Sequence, residues 1–157
     1  MTKNLKQNIK GFTIIEVLIV LAIAGLIMLI VFLAVPALQR NSRNTQAKNA
    51  ASAILGGVSE FSNNNNGVLP TAITVTGSDV AFTGAAGSTP SNARIQGGYT
   101  VATGTAMPAT TATGSFVVNI NHKCTGNAFA TTSSPRAVAI GYNIETSNGT
   151  APQCVES

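Results

Sequence analysis

Between Val17 and Leu38 the chain runs for 22 residues without one charged side chain. As an α-helix rising about 1.5 Å per residue, such a run is long enough to span a hydrocarbon core of about 30 Å. An ordinary secretory signal has a shorter apolar core, closed by a small-residue cleavage site. Here Arg40 and Arg43 end the run and no such site follows it, so the segment is expected to stay with the protein as an anchor. Lys3, Lys6 and Lys10 precede the span, and Arg40, Arg43 and Lys48 follow it. That near balance leaves orientation undecided by the positive-inside bias alone.

Charge is scarce elsewhere too: charged residues make up only 9% of the chain, against about a quarter in a typical soluble domain. The C-terminal half is instead rich in Thr, Ser, Asn, Gly and Ala, a composition suited to small strand-and-turn domains on secreted surfaces. The formal charge is +4, but Lys3, Lys6 and Lys10 are three of the nine cations. The rest of the chain carries six cations against five acids, which offers little long-range field for nucleic acid. At 157 residues there is room for one domain and an added segment. Cys124 and Cys154, 30 apart and both beyond the span, read as one disulfide formed in an oxidising compartment. That reading places the C-terminal domain outside and the N-terminus inside.

Glu16 interrupts the apolar run near its start. A carboxylate in a membrane helix costs a few kcal/mol on insertion scales and is commonly functional. Spacing alone leaves open a second role, as an interfacial residue that snorkels at little cost. The string Lys10-Gly11-Phe12-Thr13-Ile14-Ile15-Glu16, continuing through Val17-Leu18-Ile19-Val20 and Gly25 to Pro36, resembles the prepilin motif of type IV pilins and pseudopilins. The detailed likeness covers roughly residues 6–40. It implies cleavage between Gly11 and Phe12 by a membrane aspartyl peptidase that also methylates the new amino terminus, leaving N-methyl-Phe12. It further implies that Glu16 meets the amine of a neighbouring subunit and so sets the axial register of a helical filament. Gly25 and Pro36 are helix-weakening residues in the expected assembly helix, although the family usually carries its proline a few residues earlier.

After Arg40 the apolar pattern becomes periodic. Ala47, Ala51, Ile54, Val58 and Phe61 recur at steps of three and four, the stripe of an amphipathic helix. Residues 62–97 are rich in Asn, Gly, Ser, Thr and Pro and read as a variable connection, with Ile73–Thr76 a short strand-like piece. Tyr99–Thr103, Phe116–Ile120 and Val138–Ile144 are the stronger strand candidates, separated by turn residues. The expectation is therefore an α+β, pilin-like fold: a long N-terminal helix, its first half membrane-spanning, packed on a small antiparallel sheet. The expected divisions are a leader at 1–11, an assembly helix at 12–38, its amphipathic continuation at 39–61, the connection at 62–97, and the sheet with its disulfide-bounded C-terminal region at 98–157.

Catalytic and metal chemistry find no footing. His122 is the one histidine, and His122-Lys123-Cys124 lacks zinc-site spacing. A disulfide denies Cys124 the thiolate that nucleophilic catalysis needs. Glu60, Asp79, Glu145 and Glu156 are too scattered for paired carboxylates or a calcium loop, and no phosphate-binding glycine loop occurs. Neither an enzyme nor a cofactor is expected. Asn148-Gly149-Thr150 fits a glycosylation sequon, a weak signal by itself. Arg40, Arg43 and Lys48 are expected at anionic headgroups. The partners implied by the resemblance are copies of the chain in a helical filament, the prepilin peptidase/methyltransferase, the pilus assembly platform and motor proteins, and the membrane before assembly. The subunit would serve surface attachment, twitching motility or DNA uptake. A minor pilin acting as an adhesin, and a type II secretion pseudopilin, are the competing readings.

Overall fold

The computed structural model describes residues 11–96 and 98–157, so Lys10 and the rest of the expected leader before Gly11 lie outside the described residues. The chain divides into two units between Gln39 and Arg40. One helix, α1 (Ile14–Asn64), runs through Gly25 and Pro36 without a break. Pro36 supplies no N–H, so the carbonyl four residues earlier, that of Phe32, loses its helical donor. In the first unit every described residue from Gly11 to Gln39 is exposed.

In the second unit the helix buries Ala47, Ala50, Ala51, Ile54, Gly57, Val58 and Phe61. This is the stripe expected from the sequence, with Ala50 and Gly57 added. Its far end is closed by a turn in which the Gly67 N–H donates to the Ser62 carbonyl at 2.7 Å, with Asn66 and Gly67 both at positive φ. Glycine takes that conformation without a Cβ penalty, which ends the helix three residues beyond the expected Phe61.

Two sheets pack on the stripe. The first is antiparallel, in the order β1 (Ala72–Thr76), β2 (Asp79–Thr83), β3 (Ser91–Arg94). These strands lie inside the stretch 62–97 that was expected to be a variable connection, so that expectation is corrected. Ile73–Thr76 falls within β1, but β2 and β3 were hidden by their polar outward residues. Their inward residues are Val80, Phe82, Ser91 and Ala93, all buried. Gly77, at φ 64°, makes the tight turn between β1 and β2.

The second sheet has the order β4 (Thr100–Thr103), β5 (Ser115–Thr125), β6 (Ala128–Thr146), β7 (Gly149–Glu156). All three strand candidates are found in it, but the expected wholly antiparallel sheet is not. β4 pairs with β5 in parallel, Thr100 opposite Ser115 through Thr103 opposite Val118. The physical reason lies in residues 104–114, which do not turn back as a hairpin. They cross the sheet and lay Met107 over Gly141, while Asn143 Nδ2 donates to the carbonyls of Ala109 (2.6 Å) and Ala112 (3.2 Å). Seven consecutive residues of β6, Ala137–Asn143, are consequently buried. Phe116, Val118, Val138, Ile140 and Tyr142 join the helix stripe in one core. On the other side of β6, Gly141 lies beneath Met107 and Phe129. The outer strand β7 carries Pro152, opposite Asn143.

At Gly57 the helix comes close against the first sheet. A Cβ there would strike the Phe82 ring and lie 2.9 Å from the Ala93 Cβ, while Ser91 Oγ donates to the Gly57 carbonyl at 2.7 Å. Its neighbour Gly56 faces open space. Gly57→Ala is expected to destabilise the head by about 1–3 kcal/mol through overpacking. Gly56→Ala is expected to stabilise it by about 0.5–1 kcal/mol through helix propensity. Thermal or denaturant unfolding of the two variants in detergent checks both signs.

Candidate functional site

The N-terminal site is built around the first turn of α1. Thr13 precedes the helix and Glu16 follows it by three, the spacing of a capping box. The Thr13 N–H and Oγ1 both donate to Glu16 Oε2 at 2.8 Å, and the Glu16 N–H donates back to Thr13 Oγ1 at 3.3 Å. The Thr-x-x-Glu signal was present in the sequence, yet Thr13 was not singled out as a partner of Glu16. Only Oε2 of Glu16 is engaged among the described residues, so the carboxylate retains acceptor capacity at Oε1. Gly11 precedes the helix with nothing within 4 Å of a Cβ built on it. Phe12 is 88% exposed.

Beyond this turn the helix presents a continuous apolar surface that includes Ile14, Leu18, Leu26, Phe32 and Leu38. It is the one helix among the described residues long and apolar enough to cross a membrane. Gly25, like Gly11, has no neighbour within 4 Å of a built Cβ, so nothing in the unit packs against it.

A family model for the prokaryotic N-terminal methylation motif matches residues 6–32. The chain carries that motif. The matched stretch takes in Gly11, Phe12, Thr13, Glu16 and Gly25, and ends before Pro36. The motif supports a prepilin of the type IV pilin or pseudopilin kind, processed by a prepilin peptidase in a pilus-assembly context. Membrane insertion followed by filament incorporation fits both the motif and the apolar helix. No curated protein and no solved structure matches the chain.

The remaining sites from the sequence are far simpler. Cys124 and Cys154 form a disulfide with a Cα–Cα distance of 5.8 Å. No cluster of three or more His, Cys, Asp or Glu that would hold a metal ion occurs among the described residues. His122 sits on β5 with Nδ1 3.1 Å from the Ile120 carbonyl oxygen. Asn148 is exposed in the turn between β6 and β7.

A set of polar contacts that the sequence did not suggest fastens the start of the packed helical segment. Arg43 Nε and Nη2 donate to the two oxygens of Glu145 at 2.8 and 2.6 Å. Beside this pair, Asn44 Nδ2 donates to the Glu145 carbonyl at 2.8 Å, and the Glu145 N–H donates to Asn44 Oδ1 at 2.7 Å. Arg40 Nη1 reaches the Thr146 carbonyl at 3.4 Å. Arg43 and Arg40 were expected at headgroups, and the structure engages both with the end of β6. The side-chain hydrogen bonds from Arg43 hold the Glu145 carboxyl below the usual carboxylate range, and Glu145 in turn raises the Arg43 guanidinium.

Because the folded pKa of Glu145 is lowered, its contribution to stability is complete above the unfolded value of about 4.3. The contribution disappears as pH falls through the lower folded value. Glu145→Gln is therefore expected to flatten the acid limb of the stability curve measured by thermal unfolding between about pH 5 and 2. Asn44→Ala would strip the main chain of Glu145 of both partners, with an expected cost of about 1–3 kcal/mol.

Proposed function

We propose that the chain is a structural subunit of a type IV pilus, doing its work by polymerising and not by catalysis. The single observation that carries this reading is Gly11-Phe12-Thr13-Ile14-Ile15-Glu16 opening a helix whose first unit is exposed along its whole described length. A surface of that kind is stable only in lipid or against other apolar helices. Prepilin peptidase cuts after Gly11, and Phe12 becomes the N-methylated first residue. Before assembly the helix spans the cytoplasmic membrane once, with its N-terminus inside. The assembly platform and motor then transfer it into a helical filament on the cell surface. Attachment, twitching motility and DNA uptake are the functions such a filament serves.

Glu16 sets the register in this reading. Cleavage leaves a cationic amine on Phe12, four residues before Glu16 and on the same helix face. The acceptor capacity left at Oε1 suits the amine of an adjacent copy. In a low-dielectric bundle, a charge pair met in one axial position disfavours the others.

N-terminal mass spectrometry of filaments sheared from the native cell tests the reading. The expected result is an abundant peptide beginning at N-methyl-Phe12. A processed peptide confined to membranes points instead to a pseudopilin or minor pilin, and a chain still beginning at Met1 overturns the proposal. Glu16→Ala is expected to leave cleavage intact and to deplete sheared filaments by an order of magnitude or more. A contact of about 1.4 kcal/mol already changes each addition step tenfold.

A further inference from the structure

The tip of the β5–β6 hairpin does not continue the plane of its sheet. From Phe116 opposite Tyr142 to Ile120 opposite Val138 the pairing holds one register; it then shifts at His122, opposite Ser133, and again at Cys124, opposite Phe129. At the break stand Asn121 (φ 62°) and Arg136 (φ 67°), with the Arg136 N–H donating to Asn121 Oδ1 at 3.4 Å. Asparagine tolerates the left-handed region, whereas an arginine there is uncommon. Two such residues facing one another form a bend in the ribbon.

The bend folds the tip back on its own sheet. Cys154 and Gly141 are neighbours across β7 and β6, and Cys124 and Phe129 are neighbours across the hairpin tip. The second pair lies on the first. Cys124 is bonded to Cys154, and the Phe129 ring comes within 2.9 Å of where a Cβ on Gly141 would be. The Cys124 N–H also donates to Glu156 Oε2 at 2.5 Å. Other than these contacts the tip holds little, since Thr131, Thr132, Ser133 and Pro135 are exposed; at the hinge itself the Arg136 guanidinium lies 3.7–3.8 Å from where a Cβ on Gly67 would be.

The rest of the head is held independently of this bond. β6 and β7 pair over eight positions, from Ala139 opposite Glu156 to Thr146 opposite Gly149. The core of Ile54, Phe61, Phe82, Phe116 and Ile140 lies on the helix side of the sheet. We propose that residues 121–136 are a hinged flap and that Cys124–Cys154 is its latch: reduction opens the flap off β6 and leaves the helix and both sheets folded. A dithiol supplies the two electrons and two protons, becoming a disulfide itself, while Cys124 and Cys154 become thiols. Opening frees Asn121 and Arg136 from the left-handed region and lifts Phe129 off Gly141, which Met107 still covers. This inference stands on the geometry of the head alone and does not depend on the filament reading.

Hydrogen exchange read by mass spectrometry on the full chain in detergent micelles, with and without dithiothreitol, tests it. The expected result is a loss of protection of about tenfold or more in residues 122–135 on reduction, with Ala47–Phe61 and Val138–Ile144 changed by less than about twofold. The double variant Cys124→Ser/Cys154→Ser should give the open pattern without reductant. Unchanged protection of the tip would show that packing, not the disulfide, closes it, and would overturn the proposal. Equal loss in Ala47–Phe61, in reductant or in the double variant, would show that the bond holds the whole head and would overturn it as well.

Discussion

Both sheets rest on one surface, the stripe from Ala47 to Phe61, and among the described residues neither has another apolar partner of that size. Its residues mix small side chains with large ones. Gly57 admits close contact with Phe82 and Ala93, while Ile54, Val58 and Phe61 are fully buried in the core with strand residues of both sheets. A three-stranded sheet with polar outward residues has little stability alone. Here it is held because Val80, Phe82 and Ala93 reach the helix, and a buried serine, Ser91, accounts for a helical carbonyl at the same spot. The polar contacts of Arg43 and Asn44 with Glu145 fix where along the helix this surface begins.

The helix therefore has two physical halves. In one, apolar residues recur with a period and find partners within the chain; in the other they cover every side and find none. A helix apolar all round is stable only in lipid or against other apolar helices. The capping box at Thr13 and Glu16 closes the start of that second kind of surface with a charge that the membrane would otherwise penalise. Thr13 thus has a share in whatever Glu16 does, since the carboxylate's orientation is set by its hydrogen bonds to Thr13.

Much of this was legible in the residues. A continuous apolar run and a 3.6-residue stripe are long signals, and both halves of α1 followed from them. Glu16 stood out as a lone acid in an apolar run, whereas Gly11 and Phe12 stood out only through the resemblance of Lys10–Glu16 to the prepilin motif. The three-stranded sheet was obscured because four- and five-residue strands with threonine, aspartate, asparagine and arginine facing water look like loop sequence. The parallel pairing of β4 depends on residues 104–114 crossing β6, a long-range packing event that no local pattern encodes. The cysteine pairing was readable from their number, but not the folded hairpin that brings them together, since that depends on the backbone conformations of Asn121 and Arg136.

Pro152 stands on β7, the outermost strand of its sheet. A filament would hold many identical heads side by side at very high local concentration, the condition under which exposed strand edges fuse into amyloid-like stacks. A proline withholds a donor from that edge and interrupts any ladder that would grow along it. In such a filament, crowded copies of this head would be left to meet through side chains and helices, and the ordered polymer would be shielded from a disordered one made of the same subunits.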